Sequence, residues 1–128
     1  MFPVFLGRVA GDRAQPERIA AEGRQAVLVE EAEMRVFLGR VEKHYGKRPI
    51  IYTDPGFFDE NGLAVFRDYP FWLRSTAGHP TEKYGEHPFV FWQYTGTGRI
   101  PGIDGDADIN VFNGTAATWR EWLKANAG

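Results

Sequence analysis

The chain contains no cysteine among its 128 residues, so disulfides and thiolate nucleophiles are excluded. It has little net charge: 15 Lys and Arg stand against 17 Asp and Glu, for a formal charge of −2. A basic field that would attract nucleic acid or an anionic membrane is therefore missing. No apolar run approaches the roughly 20 residues needed to cross a bilayer. The opening "MFPVFLGRVAG" lacks the basic start and apolar length of a secretion signal, which leaves the location open. Phosphate loops, nucleophile elbows and dinucleotide fingerprints are likewise absent. His44, His79 and His87 have no ligand-like spacing; they are expected at the surface, and neither a metal nor a cofactor is expected. Residues 6–36 contain no Phe, Tyr or Trp. The stretch "GRVAGDRAQPERIAAEGRQA" reads as a surface helix or an arm with little to bury. Composition changes near residue 27, which divides the chain into an atypical arm, 1–26, and a domain, 27–128.

The pattern that follows is of α/β type. Val27, Met34, Phe37, Leu38, Val41 and Tyr45 recur at three- and four-residue steps, predicting a helix that stops at Gly46. Glu30 and Glu31 fall inside it. Pro49 forces an extended entry into "PIIYT", a strand. "DPGFFDENG" is turn-rich, with Phe57 and Phe58 in one short helical turn. "YPFWLRS", "FVFWQYT" and "DADINVF" read as three more strands, and "AGHPTEKYGEHP" as a polar surface connection. "FVFWQYT" is apolar on both faces, as in a sheet covered on both sides. Thr115 is placed to cap a last helix with a stripe of Trp119, Trp122 and Leu123.

Several residues bear on function. Asp104, Asp106 and Asp108 alternate like a calcium loop, but Ile109 stands where such a loop needs glycine and Thr115 where it needs glutamate. Asp104 and Asp106 read better as turn formers. Asp108 occupies a strand position, where an unpartnered charge is costly. Gln93 is either a structural amide or a ligand-facing group at a strand end. Tyr52, Trp72, Trp92 and Tyr94 are either core residues or flat platforms with polar handles of the kind sugars favour.

"KRPIIYTDPGFF", "FRDYPFWLRS" and above all "FWQYTGTGRIPGIDGDADINVFNG" resemble the C-terminal half of glycoside hydrolase family 25, the N-acetylmuramidase lysozymes. The likeness runs from about Met34 to Leu123. It implies part of a flattened (β/α) barrel: here about four strands, an N-proximal helix and a C-terminal helix. It also implies a peptidoglycan glycan strand as partner, and hydrolysis of the β-1,4 bond between N-acetylmuramic acid and N-acetylglucosamine. By motif, Asp108 matches a family acid lining the groove, while Tyr52, Trp72, Gln93 and Tyr94 match positions on strands that feed it. The family's central Asp-x-Glu pair has no counterpart. In "VLVEE" the closest candidate acid is Glu30, but Leu28 stands where the aspartate belongs. The expectation is a truncated chain, inactive alone, with a non-catalytic glycan-binding module as the alternative. Half a barrel would leave two sheet edges open to self-association. The family is usually exported.

Overall fold

The computed structural model describes residues 30–127 with their side chains, and the backbone of Pro3–Phe5. Helix α1 (Glu31–Tyr45) ends at Gly46, whose φ of 71° is the left-handed geometry of a helix stop. It starts later than the periodicity predicts, with Glu30 extended at its N-cap and not within it. Val27 and the arm segment 7–26 lie outside the described residues. Five strands follow one another in space as in sequence: β1 (Pro3–Phe5), β2 (Ile50–Thr53), β3 (Phe71–Arg74), β4 (Phe91–Gly98) and β5 (Ala107–Phe112). The first four are parallel, and β5 returns antiparallel to β4. The four expected strands are β2–β5, and β1 adds a short fifth. Among the described residues the sheet is open, an α/β arrangement that does not close into a barrel.

Among the described residues the connections hold α2 (Pro55–Glu60), a 3-10 turn at Leu63–Val65 and α3 (Pro80–Tyr84), and α4 (Ala116–Asn126) follows β5. Asp54 caps α2, its carboxylate accepting from the amide of Phe57 at 2.9 Å. Thr115 and Thr118 form a reciprocal capping box on α4. The connection expected to be a polar surface loop is instead half core. Pro80 starts α3, and Tyr84 and His87 are buried.

Cross-strand register assigns the two faces, because paired residues project the same way. Ile51 pairs with Phe71, and Thr53 with Leu73. Ile51, Phe71 and Leu73 join Met34, Leu38, Phe58, Leu63, Phe66 and Tyr84 in the main core, and Thr53 is buried on the same face. The opposite face carries Tyr52, Trp72, Arg74, Phe91, Gln93, Asn110 and Phe112. It is divided along the strands. Phe91 and Phe112, at the amino end of β4 and the far end of β5, are covered by α4, with ring centroids 5.3 Å from Trp122 and 5.0 Å from Trp119 respectively. Trp119 and Trp122 stack on each other at 5.5 Å, while Leu123 of the expected stripe stays largely exposed. Lys47 ties the last turn of α4 to the entry of β2 by donating to the Asn126 carbonyl at 2.9 Å. The carboxyl half of the same face has no such cover among the described residues. Full coverage of both faces of β4 is therefore not realised: Gln93 is its one buried residue.

His87 departs most from its surface expectation. It is 5 % exposed, its ring lies 4.3 Å from Phe71 and 5.0 Å from Phe58, and neither ring nitrogen has a partner among the described residues. Desolvation, followed by the nearby Arg67 charge, lowers its pKa to about 4.

Candidate active site

Ligands of open α/β sheets bind beyond the carboxyl ends of the strands, and that is where the uncovered polar half of the face lies. Two hydrogen-bonded pairs organise it. Tyr52 on β2 donates its hydroxyl to Gln93 Oε1 on β4, reaching across β3. Trp72 Nε1 on β3 donates to Asn110 Oδ1 on β5 at 2.8 Å, reaching across β4. Tyr52 also packs edge-on against Trp72, with centroids 5.1 Å apart. The resulting lattice fixes two aromatic rings and two amides. Gln93 is 4 % exposed, and it is here both a satisfied amide and a neighbour of the open surface. Burial raises the Tyr52 pKa; Arg74 opposes that, and Asp108 and Asp54 add to it.

Asp108 arrives through the β4–β5 turn. Gly98 permits the close return: a Cβ there would lie 2.3 Å from Ile109 Cδ1 and 3.0 Å from the Ala107 carbonyl. The pairing slips between Gln93 and Thr95, and again before Gly98, an irregularity that re-aims side chains. A Cβ on Gly96 would sit 3.4 Å from Asp108 Oδ1 and 3.9 Å from Gln93 Nε2. Asp108 and Gln93 thus border one small space that a side chain at 96 would fill. Asp108 is exposed, so the desolvation cost inferred from its strand position does not arise: β5 is at the sheet edge. Asp106 turns the other way, its carboxylate 3.5 Å from Arg99, and Asp104 is exposed in the turn.

Of the other candidates, Tyr94 does not join this group. It is 40 % exposed and packs on Trp92 at 5.9 Å, which in turn meets His79 at 5.0 Å and donates Nε1 to the Ser75 carbonyl at 2.8 Å. Glu30 sits exposed at the start of α1, its carbonyl accepting from Met34 N, and is not among the charges acting on Tyr52. Three contributors were missed. Arg74 and Asn110 follow from period-two alternation after Trp72 and Asp108. Tyr84 lies in a stretch read as loop; its single hydroxyl proton is shared between the carbonyls of Arg74 at 2.6 Å and Thr53 at 3.2 Å, the shorter contact being the main one, which links the ends of β2 and β3. Burial, reinforced by Asp54, raises its pKa.

The open β/α sheet thus brings two amide-bridged aromatics and the exposed Asp108 to the same end of one face. Comparison with known proteins names the family. The family model described as Glycosyl hydrolases family 25 matches residues 17–103, and the chain belongs to that family. It is 36% identical to YegX of Escherichia coli K12 over 102 residues, which are 78% of this chain and 37% of that protein. It is 35% identical to Lysozyme M1 of Streptomyces globisporus over 95 residues, 66% of this chain and 32% of that enzyme. The structure of a family 25 glycosyl hydrolase from Bacillus anthracis superposes with a TM-score of 0.66 and 27% identity, covering 94% of this chain and 54% of that one. The chain therefore spans about a third of these curated relatives and about half of the solved structure.

Proposed function

We propose that this chain binds a peptidoglycan glycan strand along the uncovered half of the sheet and does not, by itself, cleave the β-1,4 bond between N-acetylmuramic acid and N-acetylglucosamine. The observation that carries the reading is the pair of bridges Tyr52–Gln93 and Trp72–Asn110, set beside an exposed Asp108. Indole and phenol rings offer flat apolar faces to pyranose rings, while the amides and the carboxylate serve hydroxyl and N-acetyl groups. Tyr94 is assigned to the rim, outside this group.

Hydrolysis requires two carboxyl groups about 5–10 Å apart, one to protonate the leaving oxygen and one to assist at the anomeric carbon. The carboxylates acting on Tyr52 among the described residues are Asp108 and Asp54. Asp54 is engaged through Oδ1 as the cap of α2, and on this reading it serves the helix, with Asp108 a supporting acid. The parallel neighbour of β2 is β1, and Phe5 pairs with Tyr52. In sequence Phe5 is followed by Leu6, Gly7 and Arg8, which supply no carboxylate. The outer edge of β5, unpaired among the described residues, is the surface through which self-association or a complementing polypeptide would act.

Titration of the whole chain with soluble peptidoglycan fragments, followed by tryptophan fluorescence, tests the binding. Saturable quenching or enhancement is expected. Trp72→Ala and Asp108→Ala should each weaken it by roughly tenfold or more, consistent with about 1–3 kcal/mol for an aromatic or charge-assisted contact. A flat titration at millimolar ligand would remove the proposal.

A further inference from the structure

Arg74 is the part of this face that neither the bridges nor the acid explains. It ends β3, pairs with Gln93, and alternates with the fully buried Leu73, so its side chain leaves the sheet on the Tyr52 and Trp72 side. Its backbone is locked from several directions. Tyr84 donates to its carbonyl, the following Ser75 amide donates to the Gln93 carbonyl at 3.0 Å, and Trp92 holds the Ser75 carbonyl. Ser75 itself donates its hydroxyl to the Gly78 carbonyl at 2.6 Å. Yet the side chain is exposed, and no carboxylate among the described residues lies within ion-pair distance of it. Arg35, Arg48 and Arg99 have at least one such partner, while Arg40, Arg67 and Arg120, like Arg74, have none there, and of these four Arg74 is the one on the strand face of Tyr52 and Trp72. A strand end fixed in this way sets where the Arg74 side chain leaves the sheet, and a guanidinium with no carboxylate partner among the described residues has donors to offer an incoming anion.

We infer that Arg74 receives a carboxylate of the bound glycan strand and thereby selects acid-bearing strands over neutral ones of the same backbone. The inference rests on the glycan-binding reading above and adds a polarity to it. Arg74 on β3 and Asp108 on β5 stand on opposite sides of β4, so an acid-bearing ring is drawn toward β3 and held away from β5. Guanidinium and carboxylate pair through two parallel N–H···O bonds, a geometry that an ammonium does not reproduce. In a peptidoglycan strand the carboxylate comes either from the lactyl ether of a peptide-free muramic acid or from the peptide stem attached there. The chemistry recognised is the same.

The test compares three probes on the full chain at low salt by tryptophan fluorescence: a neutral N-acetylglucosamine tetramer, a peptide-free oligomer alternating N-acetylglucosamine and N-acetylmuramic acid, and the same oligomer with its peptide stems. The wild type should bind at least one acidic probe about fivefold more tightly than the neutral one, the upper range for a solvent-exposed charge pair. Which of the two acidic probes gains identifies the source of the carboxylate. The advantage should shrink as salt is added. In Arg74→Gln the acidic probes should bind no more tightly than the neutral probe does to the same variant. Arg74→Lys should retain part of the preference. Equal wild-type affinities for all three probes, or a preference that survives in Arg74→Gln, overturns the inference while the glycan-binding reading stands. Absence of binding to every probe overturns both.

Discussion

Acidification from pH 7 to pH 4 should lower the stability of this fold by roughly 2–3 kcal/mol through one residue, and His87→Phe should remove most of that loss. His87 is enclosed by Phe58 and Phe71, with both nitrogens unpartnered among the described residues. The native state therefore holds it neutral, with its pKa lowered from 6.5 to about 4 by desolvation and then by Arg67. The unfolded chain takes up the proton first as pH falls through about 6.5, whereas the folded chain takes it up near 4. Stability is thus full above the unfolded pKa and is lost progressively across that window; each unit of separation is worth about 1.4 kcal/mol. Phenylalanine retains the planar ring in the aromatic enclosure and has no group to titrate. Urea unfolding of both proteins between pH 7 and pH 4 measures the difference directly. Parallel stability curves for wild type and variant would show that His87 is not the sensor.

Phe71→Ala should be more damaging still, at about 3–5 kcal/mol in water at neutral pH. Phe71 is fully buried on β3, meets both Phe58 and His87, and sits in the cluster that joins α1, α2 and α3 to the sheet. Removing its ring leaves a void that this small core cannot close. Against the 5–15 kcal/mol typical of whole domains, the loss takes a large share of the total. Denaturant midpoints at unchanged slope provide the measurement. A loss below about 1 kcal/mol would mean that the sheet does not depend on this core.

The strands were legible in the sequence because each is a short apolar or aromatic run entered through proline or a polar turn, as at Pro49-Ile50-Ile51 and Pro70-Phe71-Trp72. The last helix was legible from Thr115 and the tryptophan spacing. The connection between β3 and β4 was not. Its five-residue helix is too short to display a period, and its burial rests on Pro80, Tyr84 and His87 scattered among polar residues. Nor does composition indicate that Tyr84 faces inward, since the reason is tertiary: its hydroxyl meets carbonyls on two different strands.

The site was legible residue by residue but not as an arrangement. Tyr52, Trp72, Gln93 and Asp108 could each be picked out by type and motif, and the structure brings them to one half of one face. Tyr94 alternates away from Gln93 toward Trp92, which is consistent with the strand period once the register is known. Arg74 went unnoticed because an arginine closing a strand reads as a solvated end. Its interest lies in the register with Gln93 and the backbone locks around it, and both are long-range.

The central proposal is a glycan-binding face that carries Asp108 and, among the described residues, no free opposing carboxylate. Incubation of the purified 128-residue chain with bacterial cell walls, with released muropeptides measured by mass spectrometry, tests it most directly. The account predicts binding to the walls with no newly formed reducing ends above a no-protein control. The rate should fall about 10²–10⁴-fold below a family 25 enzyme carrying both acids, as the loss of general acid catalysis implies. Release of muramic-acid-terminated fragments by this chain alone, abolished in Glu30→Gln or in Asp54→Asn, would contradict it and identify the second acid.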